Sequence, residues 1–167
     1  MNVERAIRTG LVACMCLSAP ALGRALEPQL VVNVQGAAVT LGMEALARLQ
    51  PEVIHVESEA GTPVAYDCVA LFDVLNAARG APAKKRRGKA MMDRVIVHAS
   101  DGYEILFSMA ELDADFAGRK VDLCFGQNGA NLPTEVGPFR LVVPDDKRHA
   151  RWIRHVESIN LIEEEQP

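Results

Sequence analysis

Residues 94–108, RVIVHASDGYEILFS, constrain the fold more than any other part of the chain. Apolar and polar residues alternate on both sides of Asp101-Gly102, the pattern of two half-buried strands. Asp-Gly suits the positive φ angles of a tight turn, so the stretch predicts an antiparallel hairpin. Further strands are expected at QLVVNVQG (29–36), EVIHVES (52–58), TPVAYD (62–67), KVDLCF (120–125) and FRLVV (139–143). A last strand is read in WIRHVESINLI (152–162), opened by a Trp152 that packs. Helical spacing of Leu71, Val74, Leu75 and Ala78 predicts a helix closed by Gly80. Thr40 is a fair N-cap for a second helix, LGMEALARLQ, which Pro51 stops. MAELD (109–113) reads as a single helical turn, GAPAKKRRGKA (80–90) as a loop, and GQNGANLPTEVGP as a turn-rich connection. About eight short strands with two short helices predict one α+β domain, mostly β, arranged as a sandwich or an open barrel.

The N-terminus reads differently from the rest. Arg5 and Arg8 precede an apolar run from about Leu11 to Leu22, and small residues follow as far as Ala25. This is the pattern of a secretory signal peptide, assigned to residues 1–25, which leaves a domain over 26–167 in the periplasm. The apolar run is shorter than the roughly 20 residues that span a bilayer, and no transmembrane segment is expected in the mature chain. No Arg-Arg pair is present. Of four cysteines, Cys14 and Cys16 belong to this segment, while Cys68 and Cys124 remain in an oxidising compartment. They could pair or lie buried as small apolar side chains, and their apolar contexts favour two buried free thiols.

The net charge of −4 gives no support for general nucleic-acid binding, and no nucleic-acid partner is expected. Positive charge is concentrated in two places, residues 84–89 and 147–154. The first reads as a solvated loop. In the second, Arg148 and Arg151 can present planar forks to a phosphate or carboxylate and Lys147 adds a point charge. Asp145 and Asp146 could equally satisfy these groups internally. His55, His98, His149 and His155 form no paired metal-ligand motif. No nucleophile elbow, P-loop or dinucleotide fingerprint occurs. The residues by themselves name no reaction and no catalytic group.

Three segments carry a family likeness. YDCVALFDVLNAA, VIVHASDGYEILFSMAELD and NGANLPTEVGPFRLVVPDDKRHARWIRHVESI occur in this order, across most of residues 29–162. Together they resemble the oxidoreductase molybdopterin-binding domain of the sulfite oxidase type, and most closely its small exported single-domain members. The resemblance implies that family's fold. It also implies that the closing loop descends from a pterin-phosphate site, since Arg148 and Arg151-Trp152 fit an Arg-x-x-Lys-Trp pattern with arginine for lysine. Lys147, Arg148 and Arg151 are the cofactor- or anion-binding residues it suggests. The catalytic relatives hold molybdenum through a cysteine upstream of the Gly-Val-x-Leu segment, and this chain has none between Gly36 and Asp67. Cys68 falls where the pattern has glycine and is a weak alternative as metal ligand. Such enzymes generally cross the membrane folded, by the twin-arginine route, and no Arg-Arg is present here. The expectation is a cofactor-free, non-catalytic exported domain that binds a small anion or a protein partner. The alternative is a molybdenum-pterin-dependent oxidoreductase.

Overall fold

In the computed structural model, which describes residues 27–58, 60–80 and 88–163, ten strands form two sheets. The leader expected at 1–25 and the charge run 84–87 lie outside the described residues. β1 (Gln29–Val34) turns at Gln35 and Gly36, both at positive φ, into β2 (Ala37–Gly42). Thr40 is thus an exposed strand residue and not a helix cap, and the short helix α1 (Met43–Ala47) starts after Gly42. β3 (Glu52–Glu57) and β4 (Pro63–Ala70) form a second hairpin, and β4 runs directly into α2 (Leu71–Ala78). Gly80, just past the Arg79 cap of α2, takes φ 62°, the expected left-handed stop. The end of the expected loop, Gly88–Met92, forms a 3-10 turn.

The hairpin read from Asp-Gly is present as β5 (Arg94–Ala99) and β6 (Glu104–Ser108). Gly102 takes φ 85° and the Asp101 carboxylate accepts from the Tyr103 amide at 2.9 Å. Ser108 caps α3 (Met109–Leu112) through a capping box with Glu111. Asp113 then caps α4 (Ala114–Ala117), which Gly118 closes. β7 (Asp122–Gln127), the two-residue β8 (Ala130–Asn131), β9 (Arg140–Val142) and β10 (Val156–Ile162) complete the fold. The last strand begins at Val156, four residues later than Trp152, because His149–Arg151 forms a 3-10 turn first.

One sheet runs β2-β1-β10-β5-β6, with β1 and β10 parallel and every other pair antiparallel. The other runs β3-β4-β7-β8, and β9 also pairs with β7. Alternating inward residues of both sheets, among them Leu30, Val97, Ile159, Tyr66 and Leu141, join one continuous core roofed by Leu71, Val74 and Leu75 of α2. The architecture is α+β and mostly β, as expected. Among the described residues no helix is long and apolar enough to cross a membrane.

The β4–β7 pairing shifts register between Asp67 and Cys68, so Asp67 opposes Gly126 while Cys68 opposes Cys124. Gly126 is required at this bulge: a Cβ there would stand 2.3 Å from Asp67 Oδ2. The shift brings the two cysteines face to face.

Candidate functional site

The closing loop leaves β9 at Val143-Pro144, turns at Asp145, and reaches β10 through the 3-10 turn. Trp152 anchors it from below. Its indole Nε1 donates to the Val143 carbonyl at 2.9 Å, it stacks on His149 at 3.8 Å between ring centres, and Arg140 lies 5.6 Å from its ring. Arg140 also donates to the Tyr66 hydroxyl at 3.1 Å, so the loop is bolted to β4 as well as β9. Tyr103 Oη donates to the Ala150 carbonyl at 3.0 Å and ties the β5–β6 turn to the same segment.

The structure divides the three cations suggested by the sequence. Arg151 Nε and Nη2 grip the two oxygens of Asp146 at 2.7 and 2.5 Å, a bidentate fork. Its Nη1 lies 3.3 Å from Glu111, which Arg119 also reaches at 3.1 Å, and its Cζ sits 5.2 Å from the Phe107 ring centre. The Arg151 hydrogen bond holds the Asp146 carboxyl below its ordinary value, and the same bond raises the Arg151 guanidinium further above its own. Arg151 is therefore a structural clamp between the closing loop and the α3 cap. The internal satisfaction that the neighbouring aspartates allowed holds for this arginine through Asp146.

Lys147 and Arg148 are exposed and reach no carboxylate of the described residues, unlike Arg151. With His149 they line an open depression of about 420 Å³ whose far wall is Ser58, at the end of β3. Ser58 is fixed by its own turn: its amide donates to the Thr62 carbonyl at 2.8 Å, and its Oγ accepts from the Thr62 amide at 3.1 Å. The Ser58 hydroxyl proton has no acceptor among the described residues, and Ser58 lines the depression. Two cations and a hydroxyl donor around an open space make a geometry suited to a small oxyanion. Ser58 was not identifiable from sequence, since it lies 89 residues from Lys147 and nothing in ESEAGT marks an anion contact.

Cys68 and Cys124 are bonded to each other across β4 and β7. This corrects the expectation of two free thiols. Directly opposed residues of an antiparallel pair carry their side chains on one face, and the register shift makes these two opposed. Both are buried, at 1% and 0% exposure. The residues present consequently do not fit a molybdenum held by a cysteine thiolate: Cys68 Sγ is committed to Cys124, and the chain's other cysteines, Cys14 and Cys16, precede residue 26. Among the described residues no three of His, Cys, Asp and Glu are grouped so as to share a metal ion. His55 is an exposed strand residue, and His98 is held between Glu104 and Asn160 at 2.8 Å each. His155 Nδ1 donates to the Gly137 carbonyl at 2.6 Å.

A larger cleft of about 550 Å³ lies elsewhere, between the start of β1 and the turns after β8, lined by Met43, Phe125, Leu132 and Pro138 among others. It includes Asn131, Leu132, Gly137 and Pro138 of the segment that carries the family likeness, but none of the candidate anion-, cofactor- or metal-binding residues read from the sequence. No family model matches the chain, and no curated protein matches it.

Proposed function

We propose that this chain is an exported, non-catalytic domain with a molybdopterin-domain fold of the sulfite oxidase type, which binds a small oxyanion at Ser58, Lys147 and Arg148. The observation that carries this reading is the division within the closing loop. Arg151 is neutralised by Asp146 and Glu111, whereas Lys147 and Arg148 stand open opposite a hydroxyl. A loop serving only as a bend would gain from pairing those charges as it pairs Arg151. The Cys68–Cys124 bond supports the non-catalytic half of the reading, because it occupies both cysteine sulfurs of the described residues. It also supports export, since disulfides persist in oxidising compartments.

Phosphate or sulfate should raise the melting temperature by mass action, with about 1.4 kcal/mol of stabilisation at ten times the dissociation constant. Lys147→Ala with Arg148→Ala should remove that response and leave the fold intact. No anion dependence in the parent protein would overturn the binding site. Molybdenum and pterin analysis of protein recovered from the periplasm tests the rest, and near-stoichiometric molybdenum would restore the oxidoreductase alternative.

A further inference from the structure

A second feature, unconnected with the anion depression, lies beside the disulfide. Asp122 of β7 is 4% exposed, and its Oδ2 has no hydrogen-bond partner among the described residues. It lines a cavity of about 130 Å³ together with Cys68, Asp73, Glu52, Arg119 and Lys120. Burial pushes the Asp122 carboxyl up to about 6; Lys120 opposes that shift, while Glu52 and Asp145 add to it. Burial raises Asp73 in the same direction. A buried carboxyl without a partner costs stability, and a fold under no other demand would place an amide or an apolar group there.

The register says what the carboxyl stands next to. Asp122 and Cys124 are two apart on β7 and share a face of the sheet. Cys124 opposes Cys68 and Asp122 opposes Ala70, so the carboxyl is one row along from the disulfide. Arg140 opposes Cys124 from β9 and adds a cation to that face. Cys68 borders the cavity, whereas Cys124 has no exposed surface.

We propose that Cys68–Cys124 is a reducible disulfide, attacked at Cys68 through this cavity by a dithiol, with Asp122 giving the proton to the departing Cys124 sulfur. One sulfur of the dithiol, having lost its proton to solvent, bonds to Cys68 Sγ. The Cys68–Cys124 bond breaks with its electron pair on Cys124 Sγ, which takes the Asp122 proton. The second thiol of the reductant then attacks its own first sulfur, and Cys68 leaves and takes the proton of that second thiol. Asp122 regains a proton from solvent through the cavity. Two electrons pass: the dithiol becomes a cyclic disulfide and the protein carries two thiols. Beyond burial, the charges that act on Asp122 are Lys120 ahead of its strand, Glu52 on β3 and Asp145 after β9; Arg119 and Asp73 of α2 line the same cavity, and Arg140 of β9 lies on the same face.

The test is reduction of the purified, oxidised chain by dithiothreitol, followed by free-thiol release from pH 4.5 to 8. Rates are expressed per reagent thiolate, and the parent is compared with Asp122→Asn. The expected result is a rate that rises linearly with dithiothreitol, falls in the parent as pH passes through about 6, and shows no such inflection in the variant. Below pH 6 the variant should react about a hundredfold more slowly, at the modest end of general acid assistance. A parental rate that levels off at the unfolding rate, independent of dithiothreitol, would make the bond purely structural and overturn the proposal, as would identical pH profiles for the two proteins. The order in dithiothreitol is read on the parent alone and decides even if the variant does not fold.

Discussion

Asp146 and Asp122 are carboxylates in one small domain with opposite circumstances. Asp146 lies at the rim of the closing loop, gripped at two points by Arg151, and its acidity is strengthened. Asp122 lies in the β4–β7 sheet with one oxygen sealed from water and unbonded, and its acidity is weakened. The first is what a charge looks like when it serves the fold, and the second when the fold carries it at a cost. The same contrast separates Arg151, which is fully engaged, from Lys147 and Arg148, which are not. In this chain the clue to a site is the polar group left without a partner, and neither the density of charge along the sequence nor the size of a cleft identifies it.

The two regions should respond very differently when broken. Replacing Cys68 and Cys124 together by alanine releases a 56-residue separation in the unfolded chain and should lower stability by about 4 kcal/mol in a denaturant titration. A loss under about 1 kcal/mol would mean that the β4–β7 row is held by packing alone.

Asp122→Asn should act in the opposite direction. The folded-state value of about 6 lies above the ordinary 3.8, so the stability linked to this group is complete below about pH 4 and is lost as pH rises through 6. At pH 8 the amide should be the more stable form by about 3 kcal/mol, with little difference at pH 4. An equal effect at both pH values would show that the carboxyl is not the source.

Arg151→Ala should cost about 2 kcal/mol near neutrality, because it strands Asp146, removes one partner of Glu111 and uncovers Phe107. Here the sign reverses. A lowered carboxyl contributes stability above its ordinary value and loses it as pH falls, so the penalty should shrink towards pH 3. Lys147→Ala with Arg148→Ala should change stability least, within about 0.5 kcal/mol in the absence of anion. A larger loss would place those two among the structural charges with Arg151.

How much of this was legible depended on how far apart the partners lie. The β5–β6 hairpin was readable because Asp101-Gly102 names its own turn, and α2 because four apolar residues keep helical time. β2 was missed because Gln35-Gly36 is a poor advertisement for a hairpin turn and Thr40 is a good helix-capping residue in the wrong setting. The pairing of Arg151 with Asp146 was within reach, being local, but Glu111 lies 40 residues upstream. Ser58 beside Lys147 depends on how the two sheets meet. The disulfide depends on a one-residue bulge at Phe125, which nothing in KVDLCFGQ announces.

The order of strands in the first sheet sets a sequence of events for the ribosome and for any quality-control protease. β10 is the sole bridge between the β1–β2 hairpin and the β5–β6 hairpin, joined to β1 in parallel and to β5 antiparallel. Val31 must wait for Ser158. Until those last residues emerge, the sheet exists only as two separate hairpins with open edges, each able to pair with a stranger. A product cut short before Val156 is thus a different hazard from one cut short at the front: it keeps most of the core residues and loses the strand that makes them a single object.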